Sequence, residues 1–141
     1  MKIIPSLKKR AKVIAVISLL AFTVSFAACG PFKAPTDAAK AFMAELRTDP
    51  GAAYDHASDG FRTSGTKDEF LSFLEVYPEM TQVADSSFNN WSIENDVAVL
   101  RGTLTFDDGT TSPIEFTLQK INGTWLVSKF DLSPAPLEDE E

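Results

Sequence analysis

Few side chains in this sequence are suited to covalent or acid–base chemistry, and their scarcity narrows the function first. The 141 residues include one cysteine, Cys29, and one histidine, His56. A single cysteine rules out a disulfide within the monomer and any Cys-rich zinc site. A single histidine rules out a multi-His metal site. Asp107-Asp108-Gly109 suggests calcium at first sight, but an EF-hand loop needs further spaced oxygens and a closing Glu. Those are missing, so the tripeptide is a hairpin turn. No Ser or Cys sits in a local nucleophile motif. The aromatic residues that could line a pocket are Tyr54, Tyr77 and Trp91. No cofactor is expected.

Charge divides the chain into two kinds of sequence. The formal net charge is −7, yet residues 1–28 carry five bases and no acid. Removing them leaves 8 bases against all 20 acids, a net charge of −12. Nucleic acid is therefore not an expected partner, because attraction to phosphate needs clustered Lys and Arg. Within 1–28 the bases all lie in 1–12, and 13–28 carry no charge. An uncharged run this short falls below the ~20 residues needed to span a bilayer as a helix. A basic start, a short apolar run and small residues at its end make a secretory signal peptide.

The sequence Phe26-Ala27-Ala28-Cys29-Gly30 that follows resembles the lipobox of bacterial lipoproteins. The resemblance implies a diacylglyceryl group on the Cys29 thiol and cleavage just before it. Cys29 is then the first residue of an exported protein held to a membrane by lipid. Several acyl chains anchor far better than one, each buried CH₂ adding about 0.8 kcal/mol. A thioether also removes the liability of an exposed thiol in an oxidising compartment. Gly30, where enteric-type lipoproteins retained at the inner membrane carry Asp, implies by the same resemblance that outer-membrane sorting is permitted. The alternative is ordinary cleavage after Ala27 or Ala28, giving a soluble secreted protein with a free thiol.

Residues 29–35 are read as the lipidated cysteine and a two-proline tether reaching about 20 Å. Residues 133–141, with two prolines and a run of four acids, form a solvated, disordered tail. Between them, residues 36–132 show two periods in turn. Thr36 is the expected N-cap of a first helix carrying Ala39, Phe42, Met43 and Leu46 at i, i+3, i+4 and i+7. Asp49-Pro50 opens a second helix with Ala53, Tyr54 and Ala57 inward, and Ser58-Asp59-Gly60 stops it. On that helix His56 lies about 110° from the centre of the inward face, on the flank. Thr66-Lys67-Asp68-Glu69 is a capping box. It leads into Phe70, Phe73, Leu74 and Tyr77, and Pro78 ends this third helix.

From Phe88 the period becomes two. Turns at Asn95-Asp96, Asp107-Asp108-Gly109 and Asn122-Gly123 divide the remainder into four strands. Together they set Ile93 opposite Ala98, Trp91 opposite Leu100, Leu100 opposite Phe116, Gly102 opposite Ile114, and Leu118 opposite Val127. One face then carries Trp91, Ile93, Leu100, Leu104, Phe106, Ile114, Phe116, Leu118 and Val127. A one-residue slip would destroy the agreement. The other face is largely polar but holds Val97, Val99, Leu126 and Phe130, where a covering segment, a partner or a second copy could pack. Asn122-Gly123-Thr124 and Asn90-Trp91-Ser92 match a glycosylation pattern but are a turn and a strand. The expected fold is α+β: N-terminal helices on one face of a four-stranded antiparallel meander.

Ala38-Ala39-Lys40-Ala41-Phe42, Ala52-Ala53-Tyr54 and Ser58-Asp59-Gly60-Phe61-Arg62, followed by Gly102-Thr103-Leu104 and Gly123-Thr124-Trp125-Leu126-Val127, resemble small nuclear transport factor two-like domains. The resemblance covers about residues 36–132. It implies a curved four-stranded sheet wrapped around the first helix with a conical pocket between them. Some proteins of this fold are enzymes: ketosteroid isomerase sets a basic Asp beside a Tyr and a protonated Asp in an apolar pocket. By that resemblance the possible counterparts here are Tyr54, Asp55 and Tyr77, but Asp55 is expected to point outward, and no acid falls on the apolar strand face. The expected function is a non-catalytic envelope module, binding a partner protein or a small apolar ligand and anchored through Cys29. The competing expectation is a small isomerase- or dehydratase-like enzyme with a buried acid–base pair.

Overall fold

The computed structural model describes residues 30–134, so the signal segment, Cys29 and the end of the acidic tail lie outside the described residues. Helix α1 spans Lys33–Thr48 and buries the expected stripe Ala39, Phe42, Met43 and Leu46, together with Pro35. It begins three residues before the expected start at Thr36. Thr36 N–H already donates to the Phe32 carbonyl at 3.2 Å. Pro35 fits in the first turn because N–H groups there have no partner within the helix. The stretch 33–35, read as tether from the sequence, is thus helix.

Helix α2 is Pro50–His56, capped by the Asp49 side chain, which accepts from Ala52 N–H at 3.1 Å. The expected stop at Ser58 is also a start. The Ser58 hydroxyl accepts from Phe61 N–H and caps an unanticipated short helix α3, Asp59–Ser64. Helix α4 is Lys67–Val76, and both halves of its Thr66/Glu69 capping box are present. Pro78–Thr81 forms a 3₁₀ turn whose Met80 is fully buried. Among the described residues no helix is long and apolar enough to cross a membrane.

The sheet has four strands in the order β1-β2-β3-β4: Val83–Glu94, Val97–Phe106, Thr111–Ile121 and Thr124–Asp131. Every expected cross-strand pair is present, from Trp91 with Leu100 to Leu118 with Val127. Asn122 and Gly123 both have positive φ, 50° and 82°, which suits a tight hairpin turn. Strand β1 begins earlier than Phe88 and carries two register shifts, leaving Ala84 and Asn89 as extra residues. At the second shift the strands close tightly: a Cβ on Gly102 would lie 1.8 Å from the Ser87 carbonyl oxygen. The core lies between the helices and the concave face, around the fully buried Leu46, Leu100, Leu104, Ile114, Phe116 and Leu118. On the convex face Val97 is exposed and Arg101 pairs with Glu115 across β2 and β3.

Two strand residues depart from expectation. Phe130 was expected on the outer face and lies on the inner one. Strand β4 pairs Lys129 with Thr117 but Val127 with Leu118, so Ser128 is an extra, bulged residue. The bulge turns Phe130 over to face Phe116, with ring centroids 6.2 Å apart. Trp91 has the expected inward parity but is 44% exposed on the edge strand, where Phe32 is the one aromatic ring against it among the described residues.

Candidate functional site

The β4 bulge and the α2–α3 junction build the main concavity together. Ser58, fully buried, donates its N–H to the Val127 carbonyl at 2.9 Å and fixes the junction on the edge of β4. Past this contact the helices and the end of β4 diverge. A cleft of about 740 Å³ opens between Tyr54 on α2, Phe61 on α3, Phe70 and Phe73 on α4, and Phe130 on β4. Its wall is a chain of aromatic rings. Phe61 meets Phe70 at 5.4 Å and Phe130 at 6.1 Å, while Phe73 meets Phe130 at 5.9 Å and Tyr77 at 4.8 Å. Such offset and edge-to-face contacts stabilise by about 0.5–1.5 kcal/mol each beyond burial.

Local backbone bonds hold the polar groups of the wall. The Tyr54 hydroxyl has two carbonyl acceptors for its one proton, Gly65 at 2.7 Å and Arg62 at 3.0 Å. It closes the α3–α4 turn. The Glu69 carboxylate accepts from Thr66 N–H at 2.7 Å, and Asp131 accepts from Ser133 N–H at 2.8 Å. Tyr77 stands at the mouth, 43% exposed, because the helix ends at Val76 before the expected i+7 position could turn inward.

Tyr54 and Tyr77 therefore meet in one cleft, and Trp91 does not join them. Trp91 sits on β1, at the opposite edge of the sheet from β4. Asp55 points outward, as expected, with its carboxylate 2.8 Å from Lys67 Nζ. That contact raises the Lys67 pKa through the hydrogen bond first and charge attraction second. His56 lies away from the cleft. Its Nδ1 is 2.7 Å from Glu45 Oε1, beside a cavity of about 150 Å³ lined by Phe42, Trp125 and small residues. Glu45 was not an expected partner of His56. The signal available was weak: two residues on different helices, with no motif joining them.

The Asp107-Asp108-Gly109 turn has both carboxylates occupied. Asp107 pairs with Arg47 at 2.8 Å, and Arg47 also donates to the Val83 carbonyl at 3.1 Å. The Asp107 contact raises the Arg47 pKa. Asp108 accepts from the Thr110 hydroxyl at 2.6 Å and Thr110 N–H at 2.9 Å, which holds its carboxyl below the usual range. Gly109 takes the left-handed position at φ 84°. Among the described residues no group of three or more His, Cys, Asp or Glu could hold a metal ion.

No family model matches the sequence, and no curated protein matches it. Solved structures do match. A nuclear transport factor two-like protein of unknown function from Shewanella oneidensis aligns with a TM-score of 0.53 at 14% identity, over 72% of this chain and 97% of that one. The domain has the nuclear transport factor two-like fold. A protein from Campylobacter jejuni described as a nuclear transport factor two-like transpeptidase aligns over 66% of this chain and 95% of that one, at 23% identity and a TM-score of 0.47. A phospholipid-binding protein from Ralstonia solanacearum aligns over 70% of this chain and 75% of that one, at 13% identity and a TM-score of 0.41. Identities this low speak for shared architecture alone. In this nuclear transport factor two-like domain, the cleft lies between the helices and the β4 edge of the sheet.

Proposed function

We propose that this protein is an exported lipoprotein, anchored through acylated Cys29, whose folded domain binds an apolar ligand or an apolar segment of a partner protein. The aromatic cleft carries the binding part of this reading. A concave, mostly apolar wall with a few placed polar groups is the usual form of a small-ligand site. Tyr54, Glu69 and Asp131 are each engaged by backbone groups of their own neighbourhood. They are placed to shape the cleft and orient a ligand. A pocket enzyme would need a carboxylate or imidazole aimed at the substrate, and His56 with Glu45 stands beside a different cavity. The run Phe26-Ala27-Ala28-Cys29 behind an uncharged segment supports the anchor.

Two measurements test the two parts. Mass spectrometry of protein from its native host should find diacyl or triacyl Cys29 as the first residue. A mature form beginning elsewhere without lipid would sink the anchor. For the cleft, an apolar fluorescent probe such as anilinonaphthalene sulfonate should bind the Cys29→Ser protein saturably. Phe73→Glu, placing a carboxylate among the rings, should weaken binding about tenfold, or ~1.4 kcal/mol. Equal binding by that variant, with its melting temperature unchanged, would remove the cleft as the site.

A further inference from the structure

Phe32 and Trp91 form an aromatic pair that the cleft does not use. Their ring centroids are 5.0 Å apart, and the rings are 36% and 44% exposed. Phe32 occupies the N-cap of α1 and makes no side-chain capping bond. Ser, Thr, Asp or Asn there would stabilise the helix by about 1 kcal/mol. The position thus forgoes capping and shows an aromatic ring instead. Trp91 has inward parity on β1, but the helix layer starts at Phe32 and leaves the ring uncovered beyond it.

The early start of α1 gives this pair a location. If Cys29 carries the lipid, only Gly30 and Pro31 separate it from Phe32. The contour from Cys29 to Phe32 is roughly 10 Å. A thioether at the glycerol level then holds Phe32, and Trp91 against it, at the depth of the lipid headgroups. Tryptophan favours that depth, since its ring is apolar and its N–H still finds a polar partner. We propose that Phe32 and Trp91 are an interfacial contact that seats the domain on the bilayer carrying its own anchor. This rests on acylation of Cys29. The attraction is apolar, because the chain after residue 28 carries a net charge of −12. Salt should therefore not release it.

The test uses the mature lipidated protein with Trp125→Phe, which leaves Trp91 the only one of the two tryptophans. In phosphatidylcholine vesicles brominated near the top of the acyl chain, Trp91 emission should shift to the blue and fall by roughly half. Added Phe32→Ser should relieve part of the quenching, and high salt should leave it unchanged. A parallel sample couples the unacylated chain starting at Cys29 to a maleimide phospholipid through its only thiol. Quenching in the coupled sample, with no lipid on Cys29 in the native host, would uphold the contact and remove the natural anchor. Vesicle-bound protein with Trp91 emission like that of the soluble Cys29→Ser form would overturn the contact and leave the anchor standing. A blue shift of the soluble form with rising protein concentration would also overturn it, since a second copy would then cover the pair.

Discussion

The two edge strands of the sheet, β1 and β4, received the same kind of irregularity and opposite fates. Each carries a bulge that shifts its side chains by one position. On β4 the bulge at Ser128 turns Phe130 inward, where Phe42, Phe61 and Phe73 pack around it. On β1 the bulge at Asn89 leaves Trp91 pointing to the same concave side, where among the described residues Phe32 is the one aromatic ring against it and the residue stays 44% exposed. Strand parity decides where a side chain points, while burial depends on what the helix layer brings over it. The β4 edge is covered because Ser58 pins a helix junction to Val127. The far end of β1 has no such cover.

Truncation should separate the two edges most sharply. Phe116→Ala, beneath Phe130, should cost about 3–5 kcal/mol in denaturant unfolding. Trp91→Ala should cost less than about 1 kcal/mol. Comparable losses at both positions would mean the β1 end is covered after all. Next in size is Gly102→Ala, where the new methyl meets the Ser87 carbonyl. It should destabilise by about 1–3 kcal/mol, and a neutral result would show that β1 gives way easily at its bulge. Ser58→Ala removes the α3 cap but keeps the backbone bond to β4, so a loss of about 1–2 kcal/mol is expected. Calorimetry that shows this loss with unchanged probe binding would separate the cap from the cleft. The smallest effect belongs to Asp108, whose carboxyl is held low chiefly by Thr110. A lowered folded pKa contributes stability above the ordinary carboxylate range, and that stability is lost as pH falls through the folded value. Asp108→Asn should flatten this acidic limb slightly, as read from melting temperature against pH. An unchanged limb would mean the turn carboxyl contributes nothing measurable.

Much of the fold was legible in local patterns. The Asp49-Pro50 start, the Thr66/Glu69 capping box and the three hairpin turns depend on residues within a few positions of one another. Their hydrogen bonds follow from local geometry. The apolar residues of β4 and just past it even hold a trace of the bulge: their phase changes between Trp125, Val127 and then Phe130, Leu132. A period-two count read straight through that change and placed Phe130 outside. Tyr54 was legible as inward-facing from its helix period, but its bonds to Arg62 and Gly65 required α3, which the Ser58-Asp59-Gly60 stop concealed.

By itself the sequence determined the strand pairing beside each hairpin turn, the inward stripe of α1, the outward direction of Asp55 and the expectation of acylation at Cys29. The first three are set by short-range turns, caps and periods, and the last by a resemblance at the end of an apolar run. The tertiary structure decided which inward residues are buried, that Tyr54 and Tyr77 share a cleft without Trp91, and that His56 meets Glu45. Those outcomes depend on where a helix layer of finite length ends against a sheet with one covered and one open edge. No spacing along the chain encodes that boundary, because the groups that meet across it come from segments far apart in sequence.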